Sequence, residues 1–116
     1  MDIERKQKLA HTGDMSESAC AIRLRAARYV AMPDGQGKDF AEETGITKSA
    51  LSTMEKGNQY PNRKVMKYLY RGHRIDFNFM MNGDFSQLPL DVQTALFEQL
   101  IRANNEWGQD LRTVKS

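Results

Sequence analysis

Cysteine is almost missing from this chain: Cys20 is the only one in 116 residues. That excludes an internal disulfide and any metal site built from several thiolates. His73, one of only two histidines, has no partner at metal-ligand spacing, so no metal is expected. No apolar run approaches the roughly 18 residues of a membrane span. The first residues also lack the apolar stretch of a secretion signal, so the expected setting is the cytoplasm, with no membrane partner. Signs of catalysis are equally scarce. Glu42 and Glu43 are adjacent and so leave a helix in different directions, and no nucleophile is paired with a histidine. Gln36 is flanked by Gly35 and Gly37, but without the strand-before-helix setting of a phosphate-binding loop. Neither an enzyme nor a cofactor is expected.

What is present is the composition of an ordinary globule, 40% hydrophobic and 28% charged. The length suits one domain with appendages. The net charge is only +2 but unevenly spread. Residues 20–75 hold eleven Lys and Arg against five Asp and Glu, a balance of +6, while the segments before and after it carry −1 and −3. The basic surplus falls on the segment described next, where contact with a polyanion would need it.

Gly37 to Gly57 reads GKDFAEETGITKSALSTMEKG. Two short helical patterns meet at Gly45. The first, Lys38 to Thr44, turns Phe40 and Ala41 inward; the second, Lys48 to Lys56, stacks Leu51 and Met54 on one face. Gly45 suits a left-handed residue after a helix end, and Thr47 offers a hydroxyl to cap the next helix. Small Ala41 permits close approach. The pattern predicts a helix-turn-helix.

These residues resemble a known family. GITKSALSTMEKG is similar to the signature of the Cro/CI-type (XRE) helix-turn-helix regulators of phage and bacteria. The likeness extends upstream to RLRAAR (Arg23 to Arg28) and downstream to YPNRKVMKYLY and IDFNFMMNG, covering about Cys20 to Gly83. It implies an all-α, five-helix lambda-repressor-like DNA-binding domain over residues 19–83, with an additional C-terminal helix, in a prophage-like, nucleoid-associated regulator. By position it implies that Lys48, Ser49 and Thr53 contact bases. Lys48 can donate to guanine, whereas the two hydroxyls are less selective. It places Thr47 and Lys56 against the DNA backbone. Gly37 stands where the family has a phosphate-binding glutamine, which leaves Gln36 and Lys38 beside it as replacements. Asn58, Gln59, Asn62 and Arg63 complete the backbone set, because loop and helix start flank the groove. The resemblance also implies a structural ion pair between Arg28 and Glu55.

The rest of the chain is read more simply. Residues 1–18 form a flexible arm, with at most a turn of helix around Ile3 to Leu9. Ser16 or Ser18 caps a helix over about Ala19 to Ala31. Cys20, Leu24, Ala27 and Ala31 share its buried stripe, while Arg23 and Arg25 lie on the surface. A helix of about Arg63 to Gly72 turns Val65, Met66 and Leu69 inward, and another, near Phe77 to Met81, stops at Gly83. Residues 84–88 are a linker. Pro89 opens a helix over 89–107, and residues 108–116 are a flexible tail. Leu90, Val92, Leu96, Phe97, Leu100 and Ile101 give the 89–107 helix a broad apolar face, which a lone helix must bury. Folding back on the domain is one solution; homodimerisation is the favoured one. The expected function is a sequence-specific transcription regulator, a repressor by preference, bound as a homodimer to an inverted repeat in double-stranded DNA. The alternative is an antitoxin or adaptor that meets a protein partner through the C-terminal helix.

Overall fold

The computed structural model describes residues 1–115, with side chains through Leu111. Seven helices and no strands occur among them: α1 (Ile3–Ala10), α2 (Glu17–Ala31), α3 (Gly37–Thr44), α4 (Lys48–Glu55), α5 (Arg63–His73), α6 (Phe77–Asn82) and α7 (Leu90–Lys115). The molecule is therefore all-α.

Local chemistry sets the boundaries. Ser16, Thr47, Asn62 and Asp76 each accept a backbone N–H from the first turn of the helix they open, which satisfies a donor the helix cannot. Asp39 accepts from the Gln36 amide at 2.8 Å at the start of α3. At the other end of α3, Gly45 adopts φ 81°, and its amide and that of Ile46 both return to the Ala41 carbonyl at 2.9 Å. A left-handed residue there costs least as glycine.

The core gathers around α2. Ala19, Cys20, Ala21, Leu24, Ala26 and Ala27 are buried around most of its circumference. Such a helix is enclosed by others rather than resting on a surface. Its small side chains let neighbours approach: α4 brings Leu51 and Met54, α5 brings Val65 and Leu69, and α6 brings Phe79 and Met80. Cys20 is buried as expected, and burial pushes its thiol above the usual range.

Arg23 overturns a sequence expectation. It does not lie on the surface; it is fully buried. Its guanidinium donates to the carbonyls of Ala10 (2.8 Å), His11 (3.1 Å), Asp14 (2.8 Å), Met80 (3.0 Å) and Met81 (3.0 Å). These oxygens include the C-terminal ends of α1 and α6, where the helix dipole is negative. Two helix ends and a loop thus take the place of a counter-ion. Burial lowers the Arg23 pKa, with nearby Cys20 and Asp14 opposing the shift.

The same contacts correct the N-terminal segment. Residues expected to form a flexible arm instead make α1, capped by Asp2 and packed through Ala10. Thr12 donates to the Gly83 carbonyl at 2.7 Å, and the Gly13 amide to Asn82 at 2.8 Å. Gly83 is required there: a β-carbon on it would stand 2.5 Å from the Ala10 carbonyl oxygen.

Three C-terminal expectations change as well. The 84–88 linker belongs to the core, because Phe85 and Leu88 are buried and Phe85 meets the Phe97 ring edge-on at 5.0 Å. The last helix continues past residue 107 to Lys115, so most of the expected tail is helical; Ser116 lies outside the described residues. Finally, Val92, Leu96, Phe97 and Leu100 are buried inside the subunit and are not a dimer interface. The helix solves its exposure problem by packing on α1 and α2, and α1 supplies cover that no mobile arm could. Of the six residues named for that interface, only Leu90 and Ile101 retain exposure, Leu90 at 79%.

Candidate nucleic-acid interface

The first turn of α4 is uncovered. Thr47, Lys48 and Ser49 are exposed, while Leu51, Met54 and Glu55, further along the same helix, are buried. Thr47 accepts the Ala50 amide at 3.0 Å, which leaves its hydroxyl hydrogen available to another acceptor. Lys48 and Ser49 make no ion pair or side-chain hydrogen bond among the described residues. Thr53 differs from its sisters. It is half-buried, and its hydroxyl donates to the Ser49 carbonyl at 3.0 Å. A base could use only its acceptor lone pairs unless that bond breaks.

The back of α4 is anchored. Arg28 meets Glu55 in a two-point contact, Nε to Oε2 at 2.6 Å and Nη2 to Oε1 at 2.9 Å. Burial works against the Arg28 charge, but the hydrogen bonds and charge of Glu55 outweigh it and raise the pKa. Arg25 adds a bond to the Glu55 carbonyl at 3.2 Å and approaches its carboxylate at 3.7 Å. Arg25 and Arg28 of α2 therefore serve to fix α4. Their charges are used internally, as is that of Arg23, and Arg74 pairs with Asp91 across the surface.

Seven basic residues of the 20–75 segment are left without an ion pair among the described residues: Lys38, Lys48, Lys56, Arg63, Lys64, Lys67 and Arg71. All seven are exposed. Lys48, Ser52 and Lys56 line a cleft of about 160 Å³ with Gly37 of α3 and with Arg25, Arg28 and Glu55 behind them. This cleft brings the α3 N-terminus and the polar edge of α4 together. Of the remaining backbone-contact residues, Gln36, Asn58 and Gln59 are exposed loop residues. Asn62 uses its side-chain oxygen to cap α5 by accepting the Val65 amide at 3.0 Å, so its NH₂ group is the part free to donate.

One cationic feature was not singled out from sequence. Lys64, Lys67 and Arg71 lie along one side of α5 and border an open groove of about 570 Å³ against Glu43, Thr44 and Gly45. Their i, i+3, i+7 spacing marks a single helix face and was the available signal. Lys64 reaches the Gly45 carbonyl at 3.2 Å, bracing the turn before α4. The two histidines lie in different surroundings. His11 Nε2 lies 2.6 Å from Asn104 Oδ1, and His73 stacks beside Tyr68, where burial lowers its pKa. No group of three or more His, Cys, Asp and Glu among the described residues could hold a metal ion. No helix among them is long and apolar enough to cross a membrane. No family model, curated protein or solved structure matches the chain.

Proposed function

We propose that this protein is a sequence-specific DNA-binding transcription regulator of the Cro/CI type, its helices arranged as in lambda repressor, with α4 as the helix that enters the major groove. The single observation that carries the reading is the division of α4 into an uncovered first turn bearing Lys48 and Ser49 and a last turn locked by Glu55 to two arginines. A helix that reads base edges must offer its N-terminal residues while its other end is held still. Lys56, Arg63 and the exposed loop amides of Asn58 and Gln59 then supply phosphate contacts, which position without specifying.

Repression through a two-fold operator, with half-sites about 10 bp apart, belongs to this reading. The second subunit must meet surface other than Val92, Leu96, Phe97 and Leu100, which fill the subunit's own core. The same burial weakens the antitoxin or adaptor alternative, because the apolar face it would use is already covered.

Selection of bound sequences from a random DNA library tests the proposal, followed by affinity measurement across salt. The expected result is an inverted-repeat consensus whose recognition depends on Lys48. Lys48→Ala should weaken the selected site by about 1–2 kcal/mol and relax preference at one base pair per half-site. Enrichment of no consensus, together with equal affinity for every duplex, would overturn it.

A further inference from the structure

The stretch of α7 from Arg102 to Asp110 lies against α2, which fixes α4, and against the turn that leaves α4. Trp107 is half-buried, and its ring edge sits where a β-carbon on Gly57, two residues past the end of α4, would come within 3.0 Å. The residue before it, Glu106, accepts a hydrogen bond from the Tyr29 hydroxyl at 2.6 Å. Arg25 spans the two ends of the arrangement. Its guanidinium donates to Asp110 at 3.2 Å and lies 3.7 Å from Glu106, and it also donates to the Glu55 carbonyl at the last turn of α4. Arg102 lies over the Tyr29 ring, 3.6 Å from its centroid. The segment thus grips α4 twice, once through an indole packed on the exit glycine and once through an arginine shared between carboxylates of α7 and a carbonyl of α4.

We propose that Trp107, with the Arg25–Glu106–Asp110 cluster, is a strut that positions the DNA-reading helix, so that α7 sets DNA affinity without touching DNA. This rests on the reading of α4 given above. The physical basis is entropic: a recognition helix whose exit turn wanders must be ordered when it binds, and the ordering cost subtracts from affinity. Trp107 excludes water from the Gly57 turn, and the arginine cluster fixes the direction in which α4 leaves it. None of these side chains lies on the uncovered first turn, so their loss leaves the number of phosphate contacts unchanged.

Trp107→Ala in the full chain provides the test, read in two independent ways. Hydrogen exchange at the Lys56, Gly57 and Asn58 amides should speed up by about tenfold or more relative to amides of α5 and α6, which report the general stability of the fold. On the selected operator, Kd should rise about five- to tenfold while the slope of log Kd against log salt stays that of the wild type, because no phosphate contact is lost. Asp110→Asn should move both readouts in the same direction by less, and Trp107→Phe should recover most of the change. Exchange at residues 56–58 that merely follows the rest of the chain would overturn the strut, as would a fallen salt slope. Faster local exchange with no change in Kd would show a strut without a role in binding and would also overturn the proposal. If the wild-type chain selects no DNA sequence, the DNA-binding reading fails separately, and the proposed control of affinity fails with it; the exchange measurement still decides whether the mechanical link exists. As Trp107 is the only tryptophan, its emission monitors the contact directly in each variant that keeps it.

Discussion

Arg23, Arg25 and Arg28 on α2 carry the same charge as Lys48, Lys56 and Arg63 on and beside α4, yet only the second group faces solvent. The α2 arginines are held by carbonyls and carboxylates of their own chain. The α4 cations have no ion pairs among the described residues. What separates them is the surrounding chain rather than the residue type. A guanidinium is planar, with five donors in a fixed fork, so it can satisfy several oxygens at once and survive enclosure. A lysine ammonium is a compact, strongly hydrated charge that stays at the surface unless paired. A basic balance counted along sequence therefore overstates the charge available to a polyanion, and the α2 arginines measure by how much.

Arg23 is where removing an enclosed charge should cost most. Arg23→Met keeps much of the volume but leaves five carbonyl oxygens without their donor. An unsatisfied buried acceptor costs about 1–3 kcal/mol, and some of these oxygens would recruit water or relax. The expected loss is about 3–5 kcal/mol in denaturant unfolding, a large share of the ~5–15 kcal/mol that holds an ordinary domain. Arg23→Lys should recover only part, since one ammonium cannot span both helix ends. A loss below about 1 kcal/mol would show that the buried fork is not what joins α1 and α6.

Glu55→Gln comes next. It removes the carboxylate that neutralises Arg28 and faces Arg25, with an expected destabilisation of about 2–3 kcal/mol because the pair is partly buried. If the α2 arginines were latent DNA contacts, freeing them would steepen the salt dependence of binding. Being enclosed, they should leave it unchanged while stability falls. A steeper slope in Glu55→Gln would place them with the α4 cations.

The sequence exposes α2 to α6 because each is bounded by a local signal: Ser16, Thr47, Asn62, Gly45 and Gly83 act on neighbours a few residues away. The uncovered first turn of α4 and the Arg28–Glu55 pair were legible for related reasons, the one from helix periodicity and the other from a resemblance that spans both helices. What was hidden depends on distance. α1 is a short, polar helix whose stability comes from docking Ala10 and from carbonyls held by a residue thirteen positions away. Once α1 is missed, the apolar face of α7 has too little of its own domain to cover it, and an interface between subunits is the natural but mistaken inference. The burial of Arg23 had one local sign: it shares a stripe with Ala19, Cys20 and Ala27, all small and buried. Charge argued against reading it that way, and tertiary packing overrode the charge.

The gentlest test uses two substitutions that remove equal charge. Lys56→Ala takes away an exposed cation at the C-cap of α4, so binding should weaken on all sequences alike and the salt slope should fall by about 0.9, the value for one phosphate contact. Arg25→Ala removes a cation whose side chain is only 12% exposed. Its loss can disturb the pose of α4 and raise Kd, but the slope should stay within error of the wild type. Counterion release counts phosphates actually touched, so the two slopes separate charge offered to DNA from charge used within the fold. Equal slopes for the two variants would erase the distinction between α2 and α4, and Lys56 would lose its proposed role as a phosphate contact.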